Sequence, residues 1–211
     1  MFARTPTAYS ACLALSLAAC GGDGAADGDL YERPPGARDA ISDRDLASLE
    51  EVGAVIHEGL NPPEIAGVYD LAGGTVVYHD HEEIEGTEVC AEIWTVESTD
   101  RDDFYLTSSE SYGNCSGSSA GVGSYISGRD GCFTLFSLTS GERDGCEYES
   151  MRIRSGCLTT GGIADMGSAG LGGAWVSVQA GACEALINNG LMPAEGERDI
   201  LDRGFVERVE D

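Results

Sequence analysis

From Glu64 to the C-terminus one pattern recurs: short stretches in which apolar and polar residues alternate, separated by glycine-containing turns. "EIAGVYDL", "GTVVYH", "TEVCAEIWTVE", "DFYLTSS", "VGSYISG", "GCFTLFSLTS", "CEYESMRIRS", "GAWVSVQA" and "GFVERVE" follow one another. Successive side chains of a strand point to opposite faces, so this alternation builds antiparallel sheet with one side on a core. In "YESMRIR", Met151 and Ile153 share one face and Arg152 and Arg154 the other. Asp130-Gly131 and Asp144-Gly145 are two-residue hairpin signals, because the favoured tight turns need positive φ at their central positions. The near-repeat of "SGRDGC" at 127–132 and "SGERDGC" at 140–146 is hairpin chemistry used twice, not a long repeat. Many short strands with frequent turns predict a mainly β fold, an antiparallel meander forming a barrel or a sandwich. "CEALINNG" predicts a short helix, and "GFVERVE" a last strand that closes the sheet.

The segment before this β domain reads differently. "SDRDLASLEEVGAVIHE", residues 42–58, has Ser42 and Asp45 in capping-box positions and Leu46, Leu49, Val52 or Gly53, and Ile56 at helical spacing. One amphipathic helix is expected within 40–60, capped by Gly59 and stopped by Pro62-Pro63. Residues 20–39 are Gly, Ala, Asp and Pro with little to bury, and predict a disordered tether. The β domain then occupies 64–211.

The N-terminus opens "MFARTPTAYSACLALSLAAC". Arg4 precedes an uncharged apolar run of about a dozen residues, too short to span a bilayer but suited to a secretory signal. The run ends Leu17-Ala18-Ala19-Cys20, which resembles the lipobox of bacterial lipoproteins. That resemblance covers residues 1–20 and implies cleavage before Cys20, lipidation of its thiol and a membrane anchor of more than one acyl chain. Gly21 rather than Asp after the cysteine implies sorting to the outer membrane, on the periplasmic or the exposed side. Cys12 is lost with the signal. Cys90, Cys115, Cys132, Cys146, Cys157 and Cys183 remain, and in an oxidising compartment they predict three disulfides of undetermined pairing. The even count leaves no partner for Cys20, which agrees with its being lipidated.

The chain carries 12 basic residues, all arginine, against 37 acidic ones, for a net charge of −25. Such a chain repels nucleic acid and anionic lipid, so no nucleic-acid partner is expected and the acyl chains must hold the membrane. "IAGVY" is weakly similar to the first-strand Gly-x-Trp of lipocalins, with Gly67-Val68-Tyr69 in its place. The similarity implies a barrel with an interior ligand site.

Candidate chemistry is sparse. His79 and His81 share a strand face in "YHDHEE", with Glu83 beyond, and are the candidate metal ligands. Asp100, Asp102 and Asp103 read as a polar turn. "GSSAG" at 117–121 fits G-x-S-x-G around Ser119, but no strand–turn–helix context surrounds it and all three histidines precede it. Trp94 and Trp175 read as core residues of strands. No phosphate loop or dinucleotide fingerprint occurs, and no cofactor is expected. The expected function is therefore non-enzymatic: a membrane-anchored module that binds an unidentified small molecule or protein at the envelope or surface. A metal-dependent surface enzyme built on His79 and His81, and a purely structural surface protein, are the alternatives.

Overall fold

In the computed structural model, the described residues are 30–101, 103–113, 117–171, 175–177, 182–188, 195 and 197–209. The lipobox with Cys20, residues 20–29 of the tether, Asp102 and Cys115 lie outside them.

Among the described residues, eleven strands form one antiparallel sheet: β1 Gly67–Leu71, β2 Gly74–His79, β3 Glu88–Val89, β4 Glu92–Ser98, β5 Phe104–Ser111, β6 Ser118–Arg129, β7 Cys132–Arg143, β8 Cys146–Thr159, β9 Gly162–Leu171, β10 Trp175–Ser177 and β11 Arg198–Val209. Strands β4 to β9 run as a meander, β11 follows β9, and β11 pairs with β1 through Val68↔Val209, Tyr69↔Arg208 and Asp70↔Glu207. That last pairing closes an eight-strand barrel of β1, β4, β5, β6, β7, β8, β9 and β11, so the barrel alternative holds over the sandwich. The β2–β3 hairpin branches from the first half of β11, and β10 pairs with the start of β8. Both Asp-Gly pairs form the expected turns. Asp130 and Gly131 have φ of 56° and 84°, and Asp144 and Gly145 of 48° and 83°. They place Arg129 opposite Cys132 and Arg143 opposite Cys146.

The N-terminal segment departs from the expected single helix. Two short helices form, α1 Pro35–Ala40 and α2 Asp43–Glu50. Ser42 caps α2, its Oγ accepting the Asp45 amide at 3.1 Å and donating to Asp45 Oδ2 at 2.7 Å. The helix ends early because Gly53 takes φ of 108°, with Gly53 N–H bonded to Glu50 O and Ala54 N–H to Leu49 O. This left-handed glycine stop satisfies the terminal carbonyls, and the chain from Ala54 to Asn61 continues without helix. Nor is the end of the tether free: Tyr31 and Arg33 are buried, and Tyr31, Ala37, Ile41, Leu46 and Leu49 pack on Phe136, Ile153, Ala169 and Ile200. A strap from Leu30 to Asn61 thus covers the outer face of the barrel. Thr134 Oγ1 accepts the His57 amide at 2.7 Å and Ser127 Oγ donates to the His57 carbonyl at 2.7 Å. Arg198 links α2 to the β2 hairpin, donating to Ser48 O at 3.2 Å and to Asp80 Oδ1 at 2.8 Å. Its hydrogen bonds hold the Asp80 carboxyl down to about 2.

Gly36 marks how closely the strap sits. A Cβ built there would lie 1.9 Å from Tyr125 Cε1. We expect Gly36→Ala to destabilise the protein by about 1–3 kcal/mol, the usual cost of overpacking. Shortening the opposing ring in a Gly36→Ala, Tyr125→Leu double variant should cost less than the two single changes together. Urea unfolding of the four proteins measures both effects, and strict additivity would contradict the contact.

Candidate functional site: the barrel lumen

Alternation along each strand sends every second side chain into the lumen. One half of the lumen is apolar and filled: Tyr69, Trp94, Ile126, Phe133 and Leu135 are all buried there, with Met166 and Val206. The other half is polar. Thr107, Ser124 and Ser137 form a hydroxyl chain across β5, β6 and β7, with Oγ1···Oγ and Oγ···Oγ separations of 3.2 and 2.9 Å. Ser109 and Ser119 pair at 2.9 Å beside them, so Ser119 serves as a hydroxyl near the start of β6, not a residue at a strand–helix elbow.

The arginine face of "YESMRIR" is the lumen face. Arg152 and Arg154 enter the barrel, while Ile153 faces outward under the strap with Met151 beside it. Arg154 comes from β8, which stands across the ring from β4. It reaches over the lumen to Glu92, Nη2 to Oε2 at 3.4 Å, with its guanidinium carbon 5.0 Å from the Trp94 ring centre. Arg203 of β11 meets the other carboxylate oxygen, Nη2 to Oε1 at 2.5 Å. Its Nη1 donates to the carbonyls of Gly73 and Cys90 at 3.2 and 3.3 Å, joining the β1–β2 turn to the link between β3 and β4. Arg152 donates from Nη1 to both oxygens of Asp199, at 3.0 and 2.9 Å. Gly170 makes room for this pair, since a Cβ there would lie 2.1 Å from Asp199 Oδ1.

Burial alone would raise the Glu92 carboxyl, but Arg154 and then Arg203 overcome it and hold Glu92 below its ordinary value. Burial lowers Arg154 and Arg203, opposed by Glu92. For Arg152 the Asp199 carboxylate outweighs burial, and its affinity for the proton rises. Among the described residues, three arginines therefore share two carboxylates in the buried group of the lumen. The hydrogen bonding is incomplete: among the described residues, Arg154 Nε, Arg203 Nε, Trp94 Nε1 and Thr139 Oγ1 are buried with no partner.

The polar end is stapled. Cys146 and Tyr148 continue the lumen face of β8 beyond Ser150, and Cys146 is bonded to Cys183 of α3 Ala182–Asn188. Cys183 and Leu186 are buried against Cys146 and Tyr148. Cys90 is also in a disulfide. On the outer face, Cys132 of β7 is bonded to Cys157, its direct partner on β8.

The histidines lie elsewhere. His79 is buried at the end of β2, and its Nδ1 accepts the His81 amide at 3.0 Å. The neutral ring then carries its proton on Nε2, which has no partner among the described residues. His81 stacks on it at 5.6 Å between centroids and bonds Glu197 Oε1 through Nε2 at 2.8 Å. Glu83 lies in the 3-10 turn Glu82–Ile84 that follows. Among the described residues, the group of metal-ligand spacing is instead His57, Cys132 and Cys157, whose two sulfurs are joined to each other. Outside the barrel, a groove of about 390 Å³ lies between the strap at Ala54–Val55 and Val77, Ala169 and Ile200.

Sequence reasoning missed the lumen group. Its signal was present: Glu92 two residues before Trp94, and two arginines alternating within an otherwise core-like strand. In comparisons with known proteins, no family model, no curated protein and no solved structure matches the chain.

Proposed function

We propose that this chain is an exported, lipid-anchored module of the outer membrane that acts by binding and not by catalysis, with its ligand inside the barrel. The observation that carries the reading is the lumen itself. A closed barrel buries a charged, hydroxyl-rich interior in which, among the described residues, the donors Arg154 Nε, Arg203 Nε and Trp94 Nε1 have no partner. Burying such groups is costly, and a packed apolar lumen would be cheaper if the barrel were only a scaffold. The weak lipocalin similarity of Gly67-Val68-Tyr69 points the same way. Tyr69 donates to Ile65 O at 2.7 Å, and Arg208 of the closing strand lies over its ring. Export is supported by the disulfides, which persist in oxidising compartments, and anchoring by the residues Leu17-Ala18-Ala19-Cys20.

Native mass spectrometry of protein extracted from the producing cell's membranes tests this. We expect a chain beginning at Cys20 with added acyl mass, and a rise of about six protons on reduction of three disulfides. A non-covalent small molecule should be retained under gentle conditions. An unacylated chain would overturn the anchor. A stoichiometric metal ion would replace the lumen with the His79 and His81 end as the centre of function.

A further inference from the structure

We propose that the polar half of the lumen is a binding site for a small monoanion, a carboxylate group, received by Arg154 and Arg203 with the Trp94 indole N–H and the Thr139 hydroxyl. This rests on the lumen-binding reading above and specifies its ligand.

Three facts converge. First, among the described residues the buried group linked by ion pairs holds one cation more than it holds acids: Arg152, Arg154 and Arg203 share Glu92 and Asp199. In a chain with 37 acids and 12 arginines, the placing of three arginines within one barrel runs against the overall charge. An isolated surplus charge inside a barrel is expensive unless paired. One added negative charge balances the group, whereas a dianion would reverse it.

Second, the unsatisfied groups are of one kind. An arginine has five N–H donors and no acceptor, and an indole has a single donor. Among the described residues Arg154 makes one hydrogen bond, to Glu92, and its buried Nε has no partner. Arg203 Nε and Trp94 Nε1 are likewise buried and unpartnered. Three donors in want of an acceptor specify an acceptor-rich ligand. Thr139 Oγ1 adds a group that can donate. Buried donors of this kind are paired in folded proteins, by protein, water or ligand.

Third, the group lies at a boundary. Arg154 rests over the Trp94 ring, and beyond Trp94 the lumen is apolar. A carboxylate at Arg154 would keep its charge among the polar residues and turn its carbon substituent toward the indole. Bidentate guanidinium–carboxylate pairing suits such a planar anion.

The test is a titration of the purified full chain with acetate and with acetamide, its neutral isostere, at constant ionic strength. The indole N–H resonance of Trp94 and the Nε–H resonances of Arg154 and Arg203 are followed by nitrogen-edited NMR. We expect saturable shifts with acetate and none with acetamide. Thr139→Val, which keeps side-chain shape, should weaken acetate binding several-fold with the fold intact. Arg154→Lys should weaken it by at least tenfold, and unfolding curves would show whether that variant remains folded. Equal shifts with acetamide, or a neutral molecule as the ligand retained in mass spectrometry, would overturn the anion while leaving a lumen-binding protein. No shift with either, together with ordered water alone on these donors in a crystal grown in acetate, would overturn the site altogether.

Discussion

Replacing Glu92 with Gln will destabilise the barrel by about 3–5 kcal/mol, the cost of removing one partner from a buried ion pair. Glutamine keeps the length and one acceptor oxygen, so packing is preserved and the lost quantity is charge. Arg154 and Arg203 would then lose the carboxylate they share, with Asp199 as the remaining acid, itself engaged by Arg152. The pH dependence separates this from a packing defect. Glu92 is held below its ordinary value of 4.5, so the unfolded chain takes up its proton first as the pH falls. Its stabilising contribution is therefore complete above about pH 4.5 and is lost as the pH drops toward the depressed folded value. Urea unfolding of the two proteins should differ by a constant amount from about pH 7 to pH 5 and converge below about pH 4.5. A difference that persists unchanged into acid would mean that the ion pairs are not its source. A Glu92→Leu, Arg154→Met double variant supplies the complementary check. Removing both charges should restore part of what the single change loses.

That the most consequential residues of the lumen are charged explains what the sequence left unread. Period-two alternation identified most of the strands but not β9 Gly162–Leu171 or the Ser118–Gly121 start of β6, where glycine, alanine and serine leave little apolar–polar contrast, and the two Asp-Gly pairs fixed two hairpin registers through their positive φ. It divided "YESMRIR" into two faces correctly, but it could not say which face was inside. Hydrophobicity favours Met151 and Ile153 for the interior, yet a second apolar layer, the strap, covers them from outside. The strap was half legible. Ser42 announced the start of α2, whereas the stop at Gly53 competed with an apolar spacing that ran on to Ile56. The role of Ser127 and Thr134 emerges only when the strap brings His57 across 70 and 77 positions of sequence to meet them. Arg33 belongs with this group. It lies in a Pro-rich stretch that resembles a linker, but is buried against Tyr31 and Phe136 and paired with Asp43. Convergence of Glu92, Arg154 and Arg203 depends on ring closure by β11 with β1, which places positions more than 100 apart in contact.

Removing the Cys146–Cys183 disulfide will have the other large effect, and it will be local as well as global. The bridge closes a loop of 37 residues, for which loop-closure entropy gives about 4 kcal/mol. The Cys132–Cys157 bridge spans 25 residues and should be worth nearly as much against global unfolding. The native states of the two variants should nevertheless differ. Cys132 and Cys157 are directly paired on β7 and β8, which the ladder from Cys132 to Arg143 holds together without them. Cys183 instead belongs to α3, seven residues long and too short to persist without tertiary support. Its buried anchors at the polar end of the lumen are Cys183 and Leu186. Cys146→Ala, Cys183→Ala should therefore release α3 while the barrel stays folded, and Cys132→Ala, Cys157→Ala should not. Hydrogen exchange followed by mass spectrometry distinguishes the cases. The first variant is expected to lose protection in Ala185–Asn188 and to gain exchange at Tyr148 and Ser150, leaving the Phe133 and Leu135 amides protected. Protection of α3 equal to that of the unmodified protein would mean that Leu186 and Ile187 hold the helix by packing alone, and that the disulfide acts only on the unfolded chain.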